Sequence, residues 1–133
     1  MVYLDYSATT PVNKDVLDSF NKVTCNFIGN ANSLHLLGVK GRTLEEQATN
    51  QIKDILKIND YDIIYTSGAS EANNTVIKGI ASMYSNRGKK IITTNLEHSS
   101  IYGPLEYLEK YGFEIIKMPT DSNGIVILSE LEK

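Results

Sequence analysis

Two short segments hold the residues best suited to chemistry. The first is Tyr65-Thr66-Ser67-Gly68-Ala69-Ser70-Glu71-Ala72-Asn73-Asn74. It reads as the end of a buried strand, a tight turn of small residues and the first turn of a helix. That arrangement aims backbone N–H groups at one spot, where a phosphate can sit. Ser67 and Ser70 add hydroxyls; Glu71 adds a carboxylate that competes with an anion unless it points away. The second segment, Asn95-Leu96-Glu97-His98-Ser99-Ser100, follows another expected strand and brings an imidazole to the same edge. Ligands of open α/β sheets gather at the carboxyl ends of the strands. A phosphate-gripping turn beside a flat ring suggests a phosphorylated aromatic cofactor.

Blander readings stay open for each of these residues. Ser-Gly turns commonly cap helices, and a lone histidine is more often a surface or hydrogen-bonded core residue. Asn73 and Asn74 suit a ligand or the closing of a helix turn equally well. His35 reads as a solvated or core histidine near a helix start, and Cys25 as a buried or half-buried inert thiol on an amphipathic helix. No paired cysteines or histidines stand at metal-ligand spacing, so no metal is expected. Nor is there a Ser-His-acid constellation with a nucleophile elbow, or a glycine-rich Walker or dinucleotide fingerprint.

The elements that must position these groups alternate. Val2 to Leu4 suits a very short strand, and Thr10 a helix cap with Pro11 at the first helical position. Val12, Val16, Phe20, Val23 and Phe27 then form one apolar stripe. After a loop over 28–33, a second helix is expected from Leu34 to about Lys57. Gly38 and Gly41 weaken its first half by about 1 kcal/mol each, a tolerable loss if another backbone packs closely there. Strands are expected over 62–66, 90–94 and 113–118, and helices from Glu71 to Asn86 and from Ser99 or Ser100 onward, with Pro104 near the start of the latter. Strand, helix, strand, helix, strand means parallel pairing through crossovers. A turn at 121–124, a short strand at 125–127 and a capped helix start at 129–133 follow, and the pattern looks cut off after one turn.

Bulk properties are those of one ordinary domain. The 133 residues are 41% apolar and 22% charged, with 13 basic and 16 acidic side chains giving a formal charge of −3. Without a basic run, neither nucleic acid nor an anionic membrane surface is an expected partner. One cysteine forms no internal disulfide, and no apolar stretch approaches membrane-spanning length. With no signal-peptide pattern, the expected location is cytoplasmic.

Five ordered motifs resemble the N-terminal third of the NifS/IscS-type cysteine desulfurases, in the class V aminotransferase group of fold type I pyridoxal phosphate enzymes. They are Tyr3-Leu4-Asp5-Tyr6-Ser7-Ala8-Thr9-Thr10-Pro11; Gly29-Asn30-Ala31-Asn32-Ser33-Leu34-His35, with Ala31 where proline is usual; Thr66 to Asn74; Glu97-His98; and Gly124-Ile125-Val126. The resemblance implies an α/β fold, a partial three-layer, mostly parallel sheet of the fold type I large domain. Residues 1–32 would be an N-terminal segment with a helix, and 33–133 the start of the cofactor-binding domain. It further implies pyridoxal 5'-phosphate as cofactor, held by Ala69 and Ser70 at its phosphate, with His98 stacked on its ring. The Ser7 to Thr10 loop would lie near the substrate or at a dimer interface.

In the family the Schiff-base lysine, the sulfur-accepting cysteine and the groups that bind the substrate carboxylate come later in the chain. The sequence is therefore expected to be truncated and inactive alone, with no catalytic residue of its own. Its expected partners are a second copy or the missing C-terminal portion, with L-cysteine the substrate of a complete relative and iron–sulfur cluster assembly the setting. The alternative is a non-catalytic α/β module that oligomerises or complements a separate chain, or a small phosphate-binding domain.

Overall fold

A computed structural model describes residues 2–131. The chain divides into two compact units, one running to Ile63 and the other beginning at Ile64. Its element order is α1 (Lys14–Asn26), α2 (Leu36–Leu56), α3 (Ala69–Met83), β1 (Lys90–Thr94), α4 (Ser99–Glu109) and β2 (Glu114–Met118), with a 3-10 turn at Leu128–Glu130. This is a mixed α/β fold with a small parallel sheet.

The first unit holds α1 and α2. Asn13, not Thr10, caps α1: its side-chain oxygen accepts from the N–H of Asp15 at 2.8 Å and of Val16 at 3.4 Å. Asparagine outranks threonine at this position, which leaves Pro11 and Val12 outside the helix. Val2 to Leu4 forms no strand; instead the Tyr3 hydroxyl closes a local loop by donating to the carbonyls of Asp5 and Thr9. No residue of α1 is buried, and Cys25 is exposed, contrary to its expected burial. The apolar stripe is present but mostly open: Phe20 is 65% exposed, and only its end at Phe27 lies beside Val39 and Leu44 of α2.

The glycines of α2 have a clear cause. A Cβ on Gly38 would collide with the backbone carbonyl of Ser33 and lie 2.6 Å from that of Asn30; one on Gly41 would lie 2.9 Å from the carbonyl of Gly29. The loop over 28–35 therefore lies directly on the first half of α2, the close backbone approach that the two glycines call for. Arg42 reinforces it by donating from Nε to the Ala31 carbonyl at 2.9 Å. At the far end Lys57 adopts the left-handed conformation, φ 57°, and its N–H closes on the carbonyls of Asp54 and Lys53.

The second unit carries the sheet. β1 and β2 pair in parallel, with Lys90 opposite Glu114 and Thr94 opposite Met118, joined by α4 as the crossover. α4 packs on β2, and α3 packs on α4. Ala81, Pro104, Leu105, Leu108 and Met118 make the small core. The segment 62–66 is not a strand, because no described strand lies alongside to share a hydrogen-bond ladder; Ile64 stays 78% exposed. Residues 125–127 likewise contribute only a single antiparallel bridge, Val126 with Thr120. The helix start expected at 129–133 is a single 3-10 turn, and its last two residues lie outside the described ones.

Candidate functional site

Four helices begin in two different ways. α1, α2 and α4 are each capped by their own side chains, Asn13, His35 and His98, whereas Gly68 at the start of α3 makes no side-chain cap. The first intrahelical bond of α3 runs from the Ala72 N–H to the Gly68 carbonyl at 3.2 Å. The N–H groups of Ala69 and Ser70 fall before it, at the positive end of the helix dipole.

Gly68 is required neither by the backbone nor by its neighbours. Its φ of 166° is extended conformation open to any residue. Among the described residues, a Cβ there would meet nothing within 4 Å. A side chain would fill only the space at the mouth of α3, the space an anion would occupy. The donor set suits phosphate: the amides of Ala69 and Ser70, which have no acceptor among the described residues, the Ser70 hydroxyl, and a helix N-terminus.

Glu71 does not compete freely for that place. Its Oε2 accepts from both the Ser67 hydroxyl and the Ser67 N–H, each at 2.7 Å. These bonds, the hydroxyl's first, hold its carboxyl below the usual carboxylate range. Ser67 is consumed by the same bonds, so it serves the turn's shape. Asn74 is also spent locally, donating to the Ser70 carbonyl at 2.9 Å.

The imidazole is linked to α3 through Ser100. His98 opens α4, accepting at Nδ1 from the Ser100 N–H at 3.1 Å, with the Ser100 hydroxyl 3.0 Å from the same nitrogen. Asn73, one helical turn beyond Ser70, donates to the Ser100 Oγ at 2.9 Å. The second turn of α3 and the first turn of α4 are thus tied by one hydrogen bond, which brings together the two segments singled out in the sequence. The approach to His98 is braced from β1. The Thr94 hydroxyl donates to Glu97 at 2.8 Å, the Tyr102 hydroxyl donates to the Thr94 carbonyl at 3.0 Å, and the Thr120 hydroxyl donates to Asn95 at 3.1 Å.

His35 and the Ser7 to Thr10 loop belong to the first unit, where Ser7 donates to Asp5 at 3.1 Å. Lys78 sits over the Tyr107 ring at 4.4 Å, well along α3 from its start. Lys89 lies near the Tyr111 carbonyl, and Lys90 pairs with Glu114 at 3.4 Å, both at the amino end of β1. Among the described residues no three metal-ligating side chains cluster, and no helix is long and apolar enough to cross a membrane. The Asn73–Ser100 tie was hidden from the sequence, since nothing local marks a contact between residues 27 apart.

Comparisons with known proteins agree on one family. The aminotransferase class-V model matches residues 2–133. A curated relative, cysteine desulfurase IscS of Dictyoglomus turgidum, is 42% identical over 132 residues, which are 99% of this chain and 34% of the relative. A solved structure titled NifS-like protein superposes with a TM-score of 0.92 at 35% identity, covering 98% of this chain and 36% of that one. Another, titled SspA in complex with cysteine, gives 0.85 at 32% identity, covering 98% of this chain and 38% of that one. The chain spans about a third of the length of the curated relatives it matches.

Proposed function

The chain belongs to the aminotransferase class-V family, and we propose that it supplies the cofactor-phosphate turn and the ring-side histidine of a pyridoxal phosphate-dependent cysteine desulfurase. The activity of the whole protein would be sulfur transfer from L-cysteine, leaving alanine and a persulfide on an acceptor cysteine. The observation that carries this reading is the uncapped start of α3 tied through Asn73 and Ser100 to His98. In it, the Ala69 and Ser70 amides and the Ser70 hydroxyl hold the cofactor phosphate, and His98 lies against the pyridine ring. When bound, pyridoxal phosphate supplies an electron-withdrawing ring that stabilises negative charge developing on an amino acid. The Asn73 tie keeps the two contacts at a fixed separation, which orients the ring against its phosphate.

Lys78, Lys89 and Lys90 are engaged away from the α3 start. The covalent anchor and the acceptor thiol belong, in this reading, to the part of the relatives that this chain does not span. Residues 1–32 would then be a leading segment and 33–133 the opening of the cofactor-binding domain, within a cytoplasmic dimer that serves iron–sulfur cluster assembly. Titrating pyridoxal phosphate while recording amide resonances tests the assignment. Shifts at Ala69 and Ser70, shared by inorganic phosphate and weakened in Gly68→Ala, are expected. Binding that leaves these two amides unmoved would reject it.

A second reading is favoured by a different observation. The stripe of α1 is exposed, and in the second unit a groove of about 560 Å3 opens among Val76, Ile80, Ile91, Ile101, Leu105 and Phe113. Uncovered apolar surface of this kind marks a module that associates, with itself or with a complementary chain. Light scattering tests association, since a monomer at high concentration speaks against it, while the amide titration above tests the cofactor reading and so separates the two.

A further inference from the structure

The His98 cap holds more information than the contact itself. Among the described residues, every hydrogen bond to the His98 ring falls on Nδ1. A backbone N–H can only donate, so the Nδ1 that receives Ser100 N–H at 3.1 Å must present its lone pair. The neutral ring then carries its proton on Nε2. The Ser100 hydroxyl adds to this. Its oxygen accepts from Asn73 Nδ2, which leaves its own hydrogen free to turn toward Nδ1, 3.0 Å away. Reversing the Asn73 amide would redirect that hydroxyl and remove its share of the preference, but the backbone donor would still hold the lone pair at Nδ1.

From this we infer that Asn73 and Ser100 are positioning residues that lock His98 as the Nε2–H tautomer, so that the ring offers an N–H donor and not a basic nitrogen at Nε2. The assignment of the tautomer stands on the hydrogen bonds alone; its use toward a bound pyridine ring or its substituents rests on the function proposed above. In that use His98 arrives already protonated at its free nitrogen. It can donate a hydrogen bond to an oxygen or a carboxylate without first gaining a proton, and it cannot accept one at Nε2 while the cap is closed.

His35 supplies an internal comparator. It also accepts at Nδ1 from a backbone N–H, that of Gly38 at 3.2 Å, but it has no link of the Asn73 kind. The experiment is imidazole nitrogen NMR on the full chain, read on the neutral form of each ring. Expected are a protonated Nε2 for His98 and a scalar coupling across the hydrogen bond from the Ser100 amide nitrogen to Nδ1. Ser100→Ala should lower the tautomer ratio of His98 by up to roughly tenfold, for loss of the hydroxyl's bond to Nδ1, and Asn73→Ala, which frees that hydroxyl to reverse, by a smaller factor. Ser100→Thr, which keeps the hydroxyl, should restore it, and His35 should be unaffected throughout. A protonated Nδ1 at His98, or variants that move both histidines equally, would overturn the inference. The pyridoxal phosphate titration reads the Ala69 and Ser70 amides separately, so a failed cofactor reading and a failed tautomer lock give different results.

Discussion

The two units of this chain are held together by different means. In the second, apolar side chains from α3, α4 and β2 are buried together. In the first, Gly38 is the one buried residue among those described, and the closest approach is backbone to backbone, where the 28–35 loop lies on α2. The second unit therefore draws on the hydrophobic effect, while the first is shaped by steric fit with little area removed from water. A chain can specify where a loop must lie without thereby stabilising it.

Substitutions sharpen that contrast. Leu105→Ala should be the most damaging, costing about 3 kcal/mol, because the site is buried and cannot collapse fully. It should be read as lost hydrogen-exchange protection throughout α4 and the sheet, and an unchanged exchange pattern there would contradict the core as described. Gly38→Ala comes next, at roughly 2 kcal/mol of overpacking. Its effect should stay within α2 and the 28–35 loop, with faster proteolysis of the loop and no change in α4. Phe20→Ser should change stability by less than about 0.5 kcal/mol, although burying a phenylalanine is ordinarily worth far more, because the ring is already in water. A large loss of stability in a monomeric sample would mean that the stripe on α1 is covered after all.

Acid should produce the smallest effect. Ser67 holds the Glu71 carboxyl below its ordinary range, and the backbone N–H groups of Ile125 and Asn123 do the same for Asp121. A carboxyl with a depressed folded value stabilises above its unfolded value, and that contribution disappears as pH falls through the folded one. The loss therefore belongs at and below the ordinary carboxylate range. Both groups are fully exposed, so the change should appear locally, as faster exchange of the Ser67 and Ile125 amides. Unfolding of the whole unit at that pH would point to a different titrating group.

Local chemistry was legible in the sequence; company was not. β1 at 90–94, the helix opening at Ser99 and the close approach demanded by Gly38 and Gly41 all follow from residue types and short spacings. The apolar period of α1 announces a face but says nothing of what covers it. Residues 62–66 have the composition of a strand, yet a strand exists only beside another. The candidate site divides in the same way. The small-residue turn and the histidine could be read directly, whereas the Asn73–Ser100 tie depends on how α3 settles against α4.

The parallel pairing of β1 and β2 has a mechanical consequence. Two strands pointing the same way cannot be joined by a hairpin, so the chain must travel back the length of the ribbon before it can pair, and α4 is that return path. Fraying the helix would release the tether that brings the strands side by side, and no two-strand remnant should outlive it. Warming should erase the circular dichroism of α4 and the amide protection of the ribbon in one step.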